Sequence, residues 1–488
     1  AILKYGKGVN MKVRDIIDDE RLLGFEDEVN SVCKDSRLVK PGDIFFNLKN
    51  SEAHAREALN QGAVLVVGKD TFGLSRSLEV KDVRESFGKA CANFYGNPAK
   101  KLKFIGITGT NGKTTCAHII SELLKYSGKK VATVGTMGVS YNGNVRDYSM
   151  TTPDADILQR EFAGMVKSGV EYVVMEVSAH ALDQKRVEGI HFDVGVLTNI
   201  TQDHLDYFHT MENYKNTKLK FFSPRYIKSA VVCSDDESGL MLMKNCSVPA
   251  IFYGLRNPSE VFAVNIQESL NGMSFFCNAL DNVVKVSTNL VGEYNVLNVL
   301  ASLSVGVELG LNLEDMVKSL KFINPVEGRF NVINYQNKHI IIDFAHTPDG
   351  LKNVLETAKS LCHGRLFCVF GCGGNRDRDK RRKMGEIAEK YCDYVCLTND
   401  NPRLENEKEI VKDIEKGLKK SHLVEFDRYE AIRKMMSLSK ADDVLVIAGK
   451  GGEKYQIIGT EKRDYNDFDA VYKVIQQNKT KVKEEYGD

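Results

Sequence analysis

The stretch "ITGTNGKTT", Ile107 to Thr115, sets glycines, a lysine and hydroxyls in the order a phosphate cradle needs. Gly109 and Gly112 let backbone N–H groups converge on phosphate oxygens, and a following helix N-terminus adds partial positive charge. Lys113 can reach the terminal phosphates, and the Thr114 hydroxyl can ligate Mg²⁺. The usual loop reads Gly-x-x-x-x-Gly-Lys-Ser/Thr, and counted back from Gly112-Lys113 its first glycine falls at 107. Here 107 is isoleucine and the glycine stands at 106. Further on, "VVMEVSAHAL" closes an apolar run with Glu176, a carboxylate able to hold Mg²⁺ opposite the loop. "VLTNITQDHLDYF" follows its run with Asn199, Asp203, His204 and Asp206, and a histidine between two aspartates beyond a strand suits a metal ligand. We expect metal roles for Glu176 and His204.

These residues need strands to carry them. "KLKFIGIT" before the loop is a short apolar run rich in β-branched residues, and "TTCAHIISELLKYSG" after it places Ala117, Ile120, Leu123 and Leu124 at helical spacing, closed by Ser127-Gly128. The local order is strand, glycine-rich turn, helix. Over the whole chain three α/β regions separate, at 11–100, 101–331 and 332–488. The first holds a turn "KPGD" and strands "IFFNL" and "AVLVVG". In the second, "KVATVGT", "YVVMEVS" and "FDVGVLTNI" alternate with helical stretches, which predicts a largely parallel sheet. The third repeats the alternation with "HIIIDFA", "LFCVFG", "YVCLTND" and "DVLVIAG", and helices from Pro348, Lys380 and Glu407, as in a second doubly wound, Rossmann-like domain. Ligands of such sheets bind beyond the carboxyl ends of the strands. Four loops, "IDFAHTPDG", "FGCGGNRDRDKRRK", "LTNDNPR" and "IAGKGGEKYQ", should therefore converge on one side.

The 488 residues suit about three domains at ~150 residues each. With 67 basic and 66 acidic residues there is no global field to draw nucleic acid or a membrane surface. Eleven cysteines sit mostly in apolar runs without a Cys-x-x-Cys pair, as buried thiols of a reducing compartment do. No apolar run reaches the roughly 18 residues of a membrane span and no signal peptide is visible, so a soluble, cytoplasmic protein is expected; a monomer is expected as well. The first ten residues and "NKTKVKEEYGD" at the end read as frayed.

Taken together, "GITGTNGKTT", "TTPD" at 151–154, "EVSAHAL" at 176–182, "TNITQDHLDYF" at 198–208, "GEYNVLN" at 292–298, "EGRF" at 327–330 and "DFAHTPDGL" at 343–351 resemble the Mur ligases of peptidoglycan synthesis. "DSRLVKPGDIFF" at 35–46 and "DNPR" at 400–403 narrow the resemblance to members that add diaminopimelate. It runs from about Asp35 to Gln456, and the glycine at 106 fits the family's own variant of the loop. The resemblance implies three domains: a small UDP-binding domain, a central P-loop ATPase domain and a C-terminal amino-acid-binding domain. It also implies the reaction. ATP phosphorylates the carboxylate of UDP-N-acetylmuramoyl-L-alanyl-D-glutamate, and the amine of meso-diaminopimelate attacks the acyl phosphate.

The resemblance carries roles to particular residues. Gly109, Thr110, Asn111, Gly112, Lys113, Thr114 and Thr115 would hold the ATP phosphates, with Thr114 and Glu176 on one Mg²⁺. His204 would sit at a second Mg²⁺ bridged by Lys218 as a carbamate, although the residues alone read Lys218 as a solvated helix position. Asn295 and His346 would approach the adenine, and Arg329 and Asp343 the phosphates and ribose. Ser36 would contact the uridine nucleotide, and Thr151, Thr152, Ser178 and Arg186 the muramoyl peptide. Arg376 and Arg403 would grip the diaminopimelate carboxylates beside Asp400, Asn401, Pro402, Gly449 and Glu453. Two stretches depart from the family pattern: Gly452 stands where a histidine is usual, and "NLKNSEAHAREAL" is shorter than its counterpart. Outside this reading stand a P-loop phosphotransferase, a nucleic-acid binder using "RDRDKRRK" as more than a solvated helix start, a lysine-adding ligase and the folate polyglutamylating enzymes.

Overall fold

The computed structural model describes residues 11–486, with side chains described as far as residue 478. Its strands form three large sheets and one hairpin. The first sheet is parallel throughout, in the order Ser31–Cys33, Asp43–Phe46, Leu65–Gly68, Ser77–Glu79. The "KPGD" turn closes where Asp43 N donates to Lys40 O at 3.0 Å. Helices Glu52–Asn60 and Val83–Phe94 are started by Ser51 and Asp82, whose side chains accept from His54 N and Glu85 N.

The central sheet has eleven strands. Seven run parallel, in the order Val131–Gly135, Tyr172–Glu176, Lys103–Thr108, Phe192–Leu197, Ile227–Cys233, Ala250–Gly254, Val261–Ser269. The P-loop strand Lys103–Thr108 thus lies between the strands that end in Glu176 and in Leu197, so three polar loops emerge side by side. Its residues are apolar almost throughout because both faces are covered. Ile105 and Ile107 pack under helices Lys113–Tyr126 and Glu293–Glu308, and Phe104 packs with Phe162 and Phe192 on the other face. The expected helix positions Ala117, Ile120, Leu123 and Leu124 are all buried.

The sheet is largely parallel, as expected, and antiparallel strands extend it at both edges. Gly138–Tyr141 and Asn144–Arg146 add antiparallel strands on one side, and Gly272–Ala279 and Asn282–Thr288 on the other. Strand Gly272–Ala279 alternates in burial, the mark of a sheet with one covered face.

The third sheet follows the order Asn331–Tyr335, Lys338–Asp343, Val444–Ala448, Leu366–Phe370, Tyr394–Leu397, Leu423–Val424, parallel apart from its first strand. The expected helices are Pro348–Ser360, Asp379–Tyr391 and Glu407–Glu415. Helix Asp467–Tyr486 continues through most of the lysine-rich end that the sequence suggested was frayed. The first ten residues, expected to fray as well, lie outside the described residues. The eleven cysteines are free, and eight of them are buried.

Candidate active site

Gly109 and Gly112 adopt φ +147° and +87°, and a Cβ would stand 1.9 Å from Thr198 Oγ1 at the first and 2.5 Å from Asn298 Oδ1 at the second. Only glycine fits either position. Helix Lys113–Tyr126 starts without a side-chain cap at Gly112, so its first-turn N–H groups face the cleft for an anion. Gly106, which stood in for the missing loop glycine, is not part of the cradle. It lies inside the strand, where a Cβ would come 2.6 Å from the Phe192 ring and 2.7 Å from the Phe221 ring.

Two lysines turn onto the same loop. Lys113 Nζ donates to Gly109 O at 2.9 Å and Thr110 O at 2.7 Å, and Lys218 Nζ donates to Gly109 O at 2.7 Å. Lys218 is 1 % exposed, which overturns the reading of a solvated helix position. Burial, reinforced by the charge of Lys113, holds the Lys218 amine well below the ordinary lysine value. Helix Met211–Leu219 turns it inward, over the ring of Tyr214, whose hydroxyl lies 3.1 Å from Thr110 Oγ1.

Glu176 is buried, with both carboxylate oxygens 3.1 Å from the Thr114 hydroxyl; Thr136 N donates to Oε1 at 2.8 Å. The hydroxyl–carboxylate pair beside the cradle fits Mg²⁺, which takes one or two carboxylates and completes its shell with phosphate oxygens and water. Among the described residues no cluster of three His, Cys, Asp or Glu side chains forms an all-protein metal cage. Next to it, His204 sits at φ +55° with Nε2 3.3 Å from Asp203 Oδ2. Burial lowers the His204 imidazole to about 3, so a ring nitrogen keeps its lone pair at neutral pH. Against the cost of its own burial, Asp203 is held well below the usual carboxylate range by the His204 backbone N–H, which donates to Oδ1 at 2.9 Å, and by the charge of Lys380, with the His346 ring beside them. The last two come from the third sheet, with Lys380 Nζ and His346 Nε2 each 3.9 Å from a carboxylate oxygen of Asp203.

Further bonds join the two large sheets across the cleft. Asn111 Nδ2 donates to Asp349 Oδ2 at 2.8 Å, Gln202 Nε2 to Asp377 Oδ2 at 3.1 Å, and Arg329 Nη2 to Thr114 Oγ1 at 3.4 Å. Asp343 accepts from Phe330 N and Ala345 N, both at 2.7 Å, and burial raises its carboxyl to about 6. Asn295 spends its amide inside the helix start, on Val291 O and Asn298. His346, expected at the adenine, turns its ring to Asp203 and so to the loop of His204.

A cavity of about 1110 Å³ runs along this junction, lined by the phosphate loop, Glu176, Asp203, His204, Arg329 and Asp343, and by Arg376, Asp400, Asn401, Arg403, Gly449 and Glu453. The four strand-end loops of the third sheet do converge on it. Arg403 Nη1 donates to Gly374 O at 3.0 Å and Asn401 O at 3.4 Å, and Pro402 O packs where a Cβ of Gly374 would be, at 1.9 Å. Burial and the like charge of Arg376 lower the Arg403 guanidinium, opposed by Asp400 and Glu453. Two guanidiniums lining one cleft with two carboxylates suit a ligand bearing both carboxylate and ammonium groups. Asn401 Oδ1 accepts from Lys450 Nζ at 3.1 Å, and its Nδ2 donates to Glu453 Oε2 at 3.1 Å. A Cβ on Gly452 would meet Glu327 O at 2.8 Å, so this departure from the family pattern lets the linker loop and the last strand-end loop touch through their backbones.

Of the remaining expected residues only Thr151 lines the cavity, 3.3 Å from Thr136. Thr152 is fully buried, its hydroxyl bonded to Glu176 O and Ser178 N. Ser178 caps helix Ala179–Asp183, and Arg186 Nη1 donates to Thr152 O at 2.9 Å. Lys34, two residues before the buried Ser36, pairs with Asp154 and Asp156 at 2.8 Å each and so ties the first sheet to this segment.

The fold and site together define an ATP-dependent ligase: a P-loop sheet and a second strand-end site across one cleft. Residues 107–306 match the Mur ligase middle domain, and 328–451 match the Mur ligase, glutamate ligase domain. The UDP-N-acetylmuramoyl-L-alanyl-D-glutamate--2,6-diaminopimelate ligase of Bacillus cereus is 40% identical over 92% of this chain and 94% of its own length. The protein of that name from Caldanaerobacter subterraneus subsp. tengcongensis is 39% identical over 92% and 95%. A solved structure of a ligase of that name aligns with TM-score 0.72 at 31% identity, covering 96% of this chain and 99% of the other. The chain belongs to the Mur ligase family, and it is an ATP-dependent ligase of peptidoglycan synthesis.

Sequence reasoning missed Thr136 and Lys380 as parts of the site. Thr136 follows an apolar strand, so the strand-end rule that found Glu176 could have found it. Lys380 lay in "RDRDKRRK", read as a solvated helix start; in fact Lys380 is 5% and Arg381 0% exposed, the latter paired with Glu405 and Asp413.

Proposed function

We propose that the chain joins meso-diaminopimelate to UDP-N-acetylmuramoyl-L-alanyl-D-glutamate through an acyl phosphate, using residues 11–100 for the uridine nucleotide, 101–331 for ATP and 332–488 for the amino acid. The observation that carries the reading is the single cleft in which the phosphate loop and the Arg376–Arg403 pair share one space. The printed names of the relatives support the choice of substrates. Lys113 and the first-turn N–H groups neutralise the phosphates, and Arg329, which reaches Thr114 from the segment leading into the third sheet, adds a further cation beside them. Thr114 and Glu176 would hold one Mg²⁺, and His204 with Lys218 as a carbamate would hold a second; bound there, the ions would supply positive charge for the transferring phosphoryl group. The buried, charge-repelled Lys218 favours its neutral amine, the form that adds CO₂ with loss of one proton. Closure of the two sheets excludes water and protects the acyl phosphate.

Asp400 and Glu453 receive the far ammonium of the amino acid while the two arginines take its carboxylates. Among the described residues no helix is long and apolar enough to cross a membrane. We place the reaction in the cytoplasm, where ATP and the UDP-linked precursor are found, with the chain as a monomer. Substrate labelled with ¹⁸O in the accepting carboxylate tests the chemistry: one label should appear in the released phosphate for each amide formed, and label-free phosphate would overturn the acyl-phosphate route.

A further inference from the structure

The edge strand Val261–Ser269 carries an irregularity. Val264 pairs with Phe276 but Gln267 with Ser274, so one extra residue is inserted, and Asn265 there adopts φ +54°. A bulge of this kind exchanges the two faces of a strand. Before it Val261 and Ala263 point inward; after it the half-buried positions are Ile266 and Glu268. Without the insertion Glu268 would lie on the solvent face. Instead it lines the cleft, and its Oε1 is buried without a hydrogen-bond partner among the described residues. The Tyr294 hydroxyl, lining the same end of the cleft, is in the same state. Burial pushes up both groups, and each feels a neighbouring carboxylate: Glu293 for Glu268, Asp343 and Glu268 for Tyr294. Buried polar atoms of this kind cost stability unless a ligand satisfies them.

Their place in the fold says which part of a ligand. Tyr294 stands four residues, about 6 Å of helix, before Asn298, whose Oδ1 abuts Gly112 of the phosphate loop. Ile266 and Leu297, on the strand of Glu268 and the helix of Tyr294, line the same cleft with Val354 and Leu361. Apolar side chains with two unsatisfied polar atoms in one cleft, a short step from a phosphate cradle, suit a purine ring. We infer that Glu268 and Tyr294 read the base of the nucleotide: Glu268 accepts from the 6-amino group of adenine, and Tyr294 donates to a neighbouring ring nitrogen. Guanine would set its 6-oxo group against the carboxylate and its N1–H against the phenol donor, so the pair selects ATP over GTP. The inference rests on the ATP-dependent ligase reading and adds residues which that reading left unassigned.

The test compares kcat/KM for ATP, purine riboside triphosphate (which lacks the 6-amino group) and GTP in the full-length wild type, Glu268→Ala, Glu268→Gln and Tyr294→Phe. The wild type should favour ATP over the 6-deamino analogue by roughly tenfold or more. Glu268→Ala should bring that ratio close to one, a within-variant comparison that does not depend on how much of the protein is folded. Glu268→Gln, whose amide can donate to a 6-oxo group, should gain GTP use relative to ATP, and Tyr294→Phe should lower ATP use while leaving the KM of the amino acid in place. An ATP-to-analogue ratio in Glu268→Ala equal to that of the wild type overturns the inference and leaves the ligase standing. A wild type that consumes no ATP with any amino acid strikes the ligase reading itself.

Discussion

Replacing Arg403 by alanine separates amino-acid choice from the rest of the chemistry. meso-Diaminopimelate carries one carboxylate more than L-lysine, and a guanidinium fork matches it in shape and charge while repelling lysine's terminal ammonium. Removing one partner of a desolvated charge pair costs about 2–5 kcal/mol. Arg376 remains beside the site, half-exposed and 4.0 Å from Asp206, and can retain part of the contact. The lower half of the range therefore applies, a rise of roughly 30- to 300-fold in the KM of diaminopimelate. Arg403 also holds Gly374 O and Asn401 O, so the variant should lose about 1 kcal/mol of stability for each bond. Steady-state kinetics with each substrate varied in turn, beside a denaturant titration, divides the two effects. An unchanged KM for diaminopimelate, or an equal rise in the KM of ATP, would refute the assignment.

Lys113→Ala removes the side-chain cation of the phosphate loop, and ligation should fall by orders of magnitude with the circular dichroism spectrum intact; near wild-type turnover would contradict the role. Lys218→Ala should be nearly inactive and partly rescued by acetate, which replaces the carbamate anion; rescue by amines but not by carboxylates would mean that an ordinary lysine acts there. Burial raises Asp343 from 3.8 to about 6 in the fold, so its contribution is greatest at low pH and is lost as pH rises through about 6. The stability of the wild type relative to Asp343→Asn should then fall by on the order of 3 kcal/mol between pH 4 and 7, and a pH-independent difference in denaturation midpoints would dismiss the shift.

Much of the site was legible because it sits at strand ends. Glu176, Asp203 and Arg403 each follow an apolar run whose length and residue types mark a strand, and parallel strands bring such ends together whatever the separation in sequence. Residues whose role depends on the third dimension were not legible. Lys218 and Arg381 stand in charged stretches and look solvated until the helices carrying them turn inward. Gly106 looked like a displaced loop glycine, and only the rings of Phe192 and Phe221 reveal why no side chain fits there. Glu268 was hidden because one inserted residue, Asn265, exchanges the faces of its strand, and alternation read from sequence continues straight through a bulge.

The most direct test of the account is to identify the product by mass spectrometry after incubating the protein with ATP, Mg²⁺, UDP-N-acetylmuramoyl-L-alanyl-D-glutamate and a panel of amino acids. The account predicts ADP, phosphate and a single new species heavier by one diaminopimelate residue, formed in preference to any lysine adduct. A lysine adduct as the main product, or ADP released without any amide, would contradict it.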